Sequence, residues 1–387
     1  MKQSSKPYFV YPPVAALALY ASVVGALIPA IRDAFPGLSL AATGLFSTLQ
    51  SLGTALSVIL CFCVFSALNK VRVMALGQLL LAVCLLLFGL NSILLLLYVL
   101  LFFIGLFSNV VDTLSNSVLA DIEPRRKAFH ISLLQALWAA AAAAGPWFAL
   151  VLGGTYPPVF IGLSIVVVAA GAAFAFGLKR ELRLPFVQQR ENFGALGKLV
   201  RTLKLKGMGL LLATSFFNAF VLTSFNFFIS SYILSIGGSS VSAAFALSML
   251  FLGALLGRLV YAPLAHRIPV RTVMMLFNAL SIAAFAGMVF CPDITGIGIL
   301  AGIGGLGTAA NFPALVVQAC AIVPDDTAAG SSLIFLGFTL ACFSAPPLIG
   351  AIGDAAGLKT AMLCAASLLA AVIVLSSRIK PHTVQNT

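Results

Sequence analysis

The chain contains a succession of apolar stretches, each long enough to form a helix that crosses a lipid bilayer. A spanning helix needs about 20 consecutive, mostly apolar residues. Only 8% of the residues are charged and the mean hydropathy is +1.12, which excludes a soluble domain and a disordered chain. The sequence therefore predicts an all-α membrane protein with 12 transmembrane helices. The predicted spans lie near residues 12–32, 39–65, 72–91, 93–120, 127–152, 158–178, 207–235, 240–263, 270–291, 294–322, 327–350 and 358–377.

The positions of Lys and Arg predict the direction in which the chain crosses the membrane. Of the 22 Lys and Arg residues, 19 fall on one side of the predicted spans, and only Arg32 and Lys359 fall on the other. Positively charged loops stay in the cytoplasm, so both termini are predicted to be cytoplasmic. The net charge of +12 is thus a signal of orientation in the cell membrane. It does not indicate a nucleic-acid partner, because no soluble domain is present to carry a basic surface.

A basic polar segment divides the predicted spans into two sets of six. The predicted organisation is an N-terminal six-helix bundle over residues 1–178, a cytoplasmic linker over 179–206, and a C-terminal six-helix bundle with a short tail over 207–387. Short loops throughout favour a prokaryotic inner membrane.

Residues recur between the two halves at a nearly constant spacing. Gly105 and Gly302 are 197 positions apart, and Gly153 and Gly353 are 200 apart. Such pairs predict a duplicated six-helix unit and two pseudo-symmetric bundles. Transporters built from repeats of this kind bind their solute near the midplane of the membrane and open to each side in turn.

Asp112 is an acidic residue well inside the fourth predicted span. It lies nine residues before Asp121 at the cytoplasmic end, about 13 Å at helical rise. An Asp at the centre of a span costs about 2.5–3.5 kcal/mol on insertion scales, so such residues usually carry function. Burial favours the neutral carboxyl, and we expect Asp112 to carry a proton. Asn109 and Asn116 share its helical face and are predicted to help bind a polar solute. The alternative is an Asp satisfied by neighbouring helices.

Arg258 is the second charged residue inside a predicted span. A guanidinium stays protonated, so it requires an anionic partner or water. Its forked donors suit a carboxylate, which predicts that Arg258 binds an anionic group of the solute. Two alternatives are a structural Arg that extends to the cytoplasmic face and an Arg that pairs with Asp112.

Two loops resemble the signature of the major facilitator superfamily, Gly-x-Leu-Ala-Asp-Arg-x-Gly-Arg. Degraded copies occupy residues 66–72 and 264–271, where Asn69 and His266 replace the acid of the signature. The resemblance implies a transporter with two six-helix bundles. In that superfamily the acid latches the two halves in one state, and this chain departs from the pattern at that position.

The fourth and eighth spans resemble those of particular branches of the superfamily. Residues 112–116 resemble the fourth span of fucose–proton symporter-like permeases, which implies that Asp112 is the coupling or sugar-binding acid. Monocarboxylate- and oxalate-type carriers place an Arg at the position of Arg258, where it holds the substrate carboxylate. The fucose symporters carry a second acid midway along the first span, where this chain offers Tyr20 and Ser22 instead, so sugar specificity does not carry over.

Polar side chains in other spans are further candidates for solute binding. The resemblance implies that the first, fourth, seventh and tenth spans line the solute cavity. Amides inside lipid need partners, so hydrogen bonding between helices is the alternative for each. The candidates, together with Gln135 of the fifth span, are Tyr20, Asn218, Asn226, Asn311 and Gln318.

These features predict a secondary active transporter that moves a small polar or anionic organic solute by proton-coupled symport. Two alternatives within transport are an efflux antiporter for amphipathic compounds or drugs, and a sugar permease. A non-transporting membrane sensor is disfavoured, because intramembrane polar groups are numerous. No motif of an enzyme, metal site or cofactor site is visible in the sequence. The expected partners are the solute, protons and membrane lipids, and we expect a monomer.

Overall fold

The computed structural model describes residues 7–63, 68–122, 127–179, 182, 201–264, 268–323 and 327–379. A short 3-10 helix, Pro7–Val10, precedes the first long helix. The twelve longest α-helices in this part of the chain are α1 Tyr11–Ala34, α2 Leu40–Cys63, α3 Lys70–Leu90, α4 Leu94–Ile122, α5 Lys127–Val151, α6 Tyr156–Gly177, α7 Met208–Ser235, α8 Ser240–Leu264, α9 Val270–Phe290, α10 Ile294–Ala309, α11 Asn311–Ile322 and α12 Thr327–Ser377.

The helices confirm the predicted fold class, an all-α membrane protein. Among the described residues, 11 helical stretches are long and apolar enough to cross a membrane. The longest of them, Gly330–Ser377, contains two helices on either side of a kink, and these correspond to the eleventh and twelfth predicted spans. Gly357 interrupts α12 between those spans, with φ at 83° and ψ at 154°. Glycine adopts this backbone conformation readily because it has no Cβ.

The tenth predicted span consists of two helices, α10 and α11, which are broken at Ala310. Pro313 explains the break, because proline has no N–H to donate to the carbonyl of Ala309 and its ring crowds that carbonyl. The break places Asn311 at the first position of α11.

The described residues form two compact units. The first lies within residues 1–37 and 45–191, and the second within 38–44 and 192–387. Residues 38–44, which include the first turn of α2, therefore belong to the second unit. The predicted linker, 179–206, lies largely outside the described residues, so its boundaries stay a prediction.

Glycines allow close helix contacts in both units. In the first unit, a Cβ on Gly105 of α4 would overlap the backbone of Gln50 in α2. In the second, a Cβ on Gly253 of α8 would overlap the carbonyl of Gly302 in α10. Small residues permit such contacts between membrane helices. Gly105 and Gly302 are one of the recurring pairs found in the sequence. Each lies in the fourth predicted span of its half and contacts the second span of the same half.

Candidate functional site

Asp112 is an acidic residue for whose carboxylate the described residues supply no partner. The side chain is half-buried in α4, and it forms no hydrogen bond or ion pair with the residues that the structure describes. Asn116 donates from Nδ2 to the backbone carbonyl of Asp112 at 3.0 Å, a hydrogen bond that does not involve the carboxylate. Asn109 donates to Oγ of Ser57 in α2 at 3.2 Å. The two amides on this face are thus bound within the first unit, and the acid between them is not.

The other acidic residue of α4 is in a different environment. Asp121 accepts a hydrogen bond from Nζ of Lys70 at 2.9 Å and forms an ion pair with it. Its side chain is 61% exposed, as expected of a residue at the end of a helix. Water and a counter-ion stabilise the charge of Asp121, whereas Asp112 has neither a counter-ion nor a hydrogen-bond donor among the described residues.

Arg258 is half-buried in α8. Its Nη1 atom is buried in the second unit and makes no hydrogen bond with the described residues. The binding role of Arg258 and its structural alternative both stay predictions. Tyr261, three positions later on the same face of α8, has a buried hydroxyl with no hydrogen bond to the described residues. The sequence offered a signal, the i, i+3 spacing from an intramembrane Arg, but Tyr261 was not among the predicted residues.

Three asparagines of the second unit form a buried amide cluster. Asn311 donates from Nδ2 to Oδ1 of Asn218 at 2.5 Å and to Oδ1 of Asn278 at 2.8 Å. Asn278 returns a hydrogen bond to Oδ1 of Asn311 at 3.0 Å and donates to the Met274 carbonyl at 2.6 Å. The cluster joins α7, α9 and α11 beside the break in the tenth span. For Asn218 and Asn311, hydrogen bonding between helices is the arrangement present.

Sequence reasoning missed Asn278. The signal was available, because an amide inside an apolar span needs a partner. Only the fold shows that the partner is Asn311, 33 positions later.

The remaining candidates are dispersed over both units. Tyr20 is 1% exposed, lies edge-on to Phe160 at 6.4 Å between ring centroids, and has a hydroxyl without a partner among the described residues. Asn226 and Gln318 each have a buried side-chain oxygen with no hydrogen bond to the described residues. Gln135 is exposed on α5.

Asn69 caps a helix at the position where the loop signature has an acid. Its Oδ1 accepts hydrogen bonds from the backbone N–H groups of Val71 at 3.0 Å and Arg72 at 3.2 Å, at the start of α3. Arg72 donates from Nε to the carbonyl of Leu182, five residues after the end of α6. A basic side chain therefore satisfies a backbone carbonyl that follows a helix C-terminus. The other substituted position, His266, lies outside the described residues.

The fold and these residues together define a class of protein. The chain is a multi-pass α-helical membrane protein in two units, and each unit holds an ionisable side chain inside a span. Such residues mark the solute and proton pathways of transporters. The sequence matches the model of the Major Facilitator Superfamily over residues 14–250 and 211–386, and the chain belongs to that family. It is a secondary transporter and not an enzyme.

Solved structures of transporters share this fold. The chain is similar to a bacterial homologue of the human lysosomal transporter Spinster, solved in an inward-facing and unoccupied conformation, with a TM-score of 0.79, 14% identity, and 96% of this chain and 95% of that chain covered. A variant of the nucleoside transporter NupG matches with a TM-score of 0.76, 14% identity, and coverage of 95% and 98%. A variant of the E. coli fucose–proton symporter FucP matches with a TM-score of 0.63, 16% identity, and coverage of 96% and 97%. No curated protein matches the sequence.

Proposed function

We propose that this transporter carries a small polar or anionic organic solute together with a proton. In this proposal Asp112 carries the proton and Arg258 binds an anionic group of the solute. Both residues are ionisable and lie inside a span. Neither the Asp112 carboxylate nor the Arg258 Nη1 has a partner among the described residues, and this observation supports the proposal. Structural charges inside proteins are normally paired, because an isolated buried charge is costly.

Asp112 suits a coupling role because the two amides on its helical face form hydrogen bonds elsewhere and not with its carboxylate. Asn116 donates to the backbone and Asn109 donates to Ser57. A carboxyl without a fixed counter-ion can take up a proton in one state and release it in another. A carboxylate held by an Arg or Lys would stay ionised throughout the cycle.

Arg258 suits a binding role because the described residues supply no acceptor for its buried Nη1, and an anionic solute can supply one. A carboxylate or phosphate group of the solute would accept from Nη1, and the nearby hydroxyl of Tyr261 can donate to the same group. Asn226 and Gln318 each have a buried oxygen with no donor among the described residues, which would select a solute with hydrogen-bond donors. Asn109, Asn116, Tyr20, Gln135, Asn218 and Asn311 stay candidates for a secondary contribution.

The solute class can be determined by a thermal-shift panel on the purified protein. The panel would contain lactate, oxalate, fucose, uridine and tetraphenylphosphonium. Fucose and uridine are included because two of the structural neighbours are a fucose–proton symporter and a nucleoside transporter. Stabilisation by lactate or oxalate supports the anionic solute, stabilisation by fucose or uridine favours a neutral one, and stabilisation by tetraphenylphosphonium alone favours the efflux alternative.

The proton-coupling role is tested by uptake of the stabilising solute into proteoliposomes. Asp112→Asn should abolish accumulation driven by an imposed pH gradient, because the amide cannot bind a proton. It should retain exchange of labelled for unlabelled solute, which needs no net proton movement. Asp121→Asn is the matched control on the same helix, and it should accumulate solute as the unmodified protein does. If Asp112→Asn still concentrates solute with the pH gradient, another group carries the proton.

The binding role of Arg258 is tested by a conservative substitution. Arg258→Lys keeps the charge but removes the fork, and we expect it to lower the affinity for an anionic solute roughly tenfold. Arg271→Lys, at an exposed position at the start of α9, is the control and should have no effect. Equal loss of affinity for anionic and neutral members of the panel would identify Arg258 as a structural residue.

A prokaryotic inner membrane and a monomeric state are part of the same proposal.

A further inference from the structure

We propose that Asp354 is a latch for the outer end of α2, which must release during the transport cycle. The two oxygens of its carboxylate accept hydrogen bonds from the backbone N–H groups of Leu40 and Ala41, each at 2.9 Å. Asp354 is 314 positions away from Leu40 in the sequence. The distribution of Lys and Arg predicts that both residues lie on the outer side of the membrane.

The contact supplies acceptors that α2 needs. The first N–H groups of any helix have no acceptor inside the helix, and a carboxylate at this end is favoured by the helix dipole. Ser39 caps the helix locally, with Oγ accepting from the N–H of Ala42 at 3.0 Å. The N–H groups of Leu40 and Ala41 are the ones bound by Asp354. The cap of α2 is therefore shared between a neighbouring residue and a distant one.

Close backbone packing accompanies these hydrogen bonds. A Cβ on Gly44 would overlap the backbone of Pro346 and Pro347 in α12, and a Cβ on Gly350 would overlap the carbonyl of Leu40. Glycine at both positions lets the start of α2 lie directly against α12. Residues 38–44 belong to the second unit for this reason, although the rest of α2 belongs to the first.

The division of α2 between the units gives the contact its role. Alternating access requires one unit of such a transporter to move against the other. Since α2 is continuous from Leu40 to Cys63, that movement has to bend α2 near Gly44 or free its first turn from Asp354. The inference rests on membership of the transporter family and is independent of the solute and of Asp112.

Spin-label distance measurements test the latch without any solute. The labels would be placed at Thr155→Cys and Ser240→Cys, both exposed near the predicted outer ends of α6 and α8, in a background without the native cysteines and in lipid nanodiscs. Asp354→Asn removes the negative charge and one of the two acceptor oxygens, so it should increase the ratio of long-distance to short-distance populations by about 2- to 5-fold, the range expected for loss of a charge at a helix N-terminus. The peptide covering residues 38–44 should also exchange its amide hydrogens faster.

A matched control separates the latch from capping in general. Asp293 accepts from the N–H groups of Thr295 at 3.3 Å and Gly296 at 2.7 Å, so it caps its own helix, α10, on the same predicted side. Asp293→Asn should leave the distance distribution unchanged. An equal shift for both variants, or an unchanged distribution for Asp354→Asn, overturns the proposal.

A second variant keeps the test valid if Asp354→Asn does not fold. Gly350→Ala adds one methyl group where α12 meets the Leu40 carbonyl, and it should shift the population in the same direction as Asp354→Asn. An unchanged distribution for Gly350→Ala overturns the role of this contact. Neither result bears on proton coupling, because the measurement uses no solute and no pH gradient.

Discussion

Removal of the Asn278 side chain should destabilise the second unit, because Asn278 and Asn311 satisfy each other inside the membrane. The pair exchanges two hydrogen bonds, at 3.0 and 2.8 Å, and both residues are 0% exposed. In Asn278→Ala, Oδ1 of Asn311 loses its donor, and Nδ2 keeps only the bond to Asn218.

The size of the effect follows from the number of bonds between the two helices. Hydrogen bonds between membrane helices average about 0.6 kcal/mol, with a maximum of about 1.7 kcal/mol. Two such bonds predict a coupling energy between Asn278 and Asn311 of about 1.2 kcal/mol. The bond from Asn278 to the Met274 carbonyl is within α9, so it adds to the cost of Asn278→Ala but not to the coupling.

A double-mutant cycle measures this coupling directly. The free energies of unfolding of Asn278→Ala, Asn311→Ala and the double variant would be measured by denaturant titration in detergent micelles. Ser367→Ala, whose hydroxyl is bonded only to its own helix and is exposed, serves as a control and should be additive with Asn278→Ala.

A coupling energy within about 0.5 kcal/mol of zero, the usual error of additivity, would show that the two amides do not support each other. The same variants also test solute binding. If Asn311→Ala unfolds at the same free energy as the unmodified protein but loses affinity for solute, Asn311 lines the solute site and the structural interpretation is refuted.

Two further predictions concern packing. Gly253→Ala should lower the free energy of unfolding by about 1–3 kcal/mol, because its Cβ would overlap the Gly302 carbonyl. Gly287→Ala should raise it by up to about 1 kcal/mol, because a Cβ there would make only ordinary van der Waals contacts. Equal effects of the two variants in thermal unfolding would contradict the close contact of α8 and α10. Tyr20→Phe should stabilise the first unit by about 1–3 kcal/mol, because it removes a buried hydroxyl that has no partner among the described residues. A loss of stability by the same measurement would contradict this environment, and a loss of solute affinity would assign Tyr20 to the site.

The fold class could be predicted because its signal is local. Every span needs its own run of apolar residues, whatever its neighbours are, so the lengths of those runs indicated the number of helices. The break at Ala310 was not predicted, although Pro313 stands in the sequence, because proline is tolerated in membrane helices when neighbouring groups satisfy the freed backbone.

The candidate site could be predicted only in part. Asp112 and Arg258 were identifiable from sequence because a charge inside an apolar run is costly wherever the helix packs. The amides were ambiguous, because each could bind solute or another helix. The structure places Asn218 and Asn311 in a cluster with Asn278 and leaves the side-chain oxygens of Asn226 and Gln318 without partners among the described residues.

The sequence by itself determined that the chain spans the membrane with helices, that it belongs to a transporter family, and where its two intramembrane charges lie. These properties depend on each residue and on the bilayer, and they need no knowledge of distant residues. Only the tertiary structure decided which polar groups are satisfied. A hydrogen bond requires two groups within about 3 Å, and helix packing determines whether Asn278 meets Asn311 or Asp354 meets Leu40.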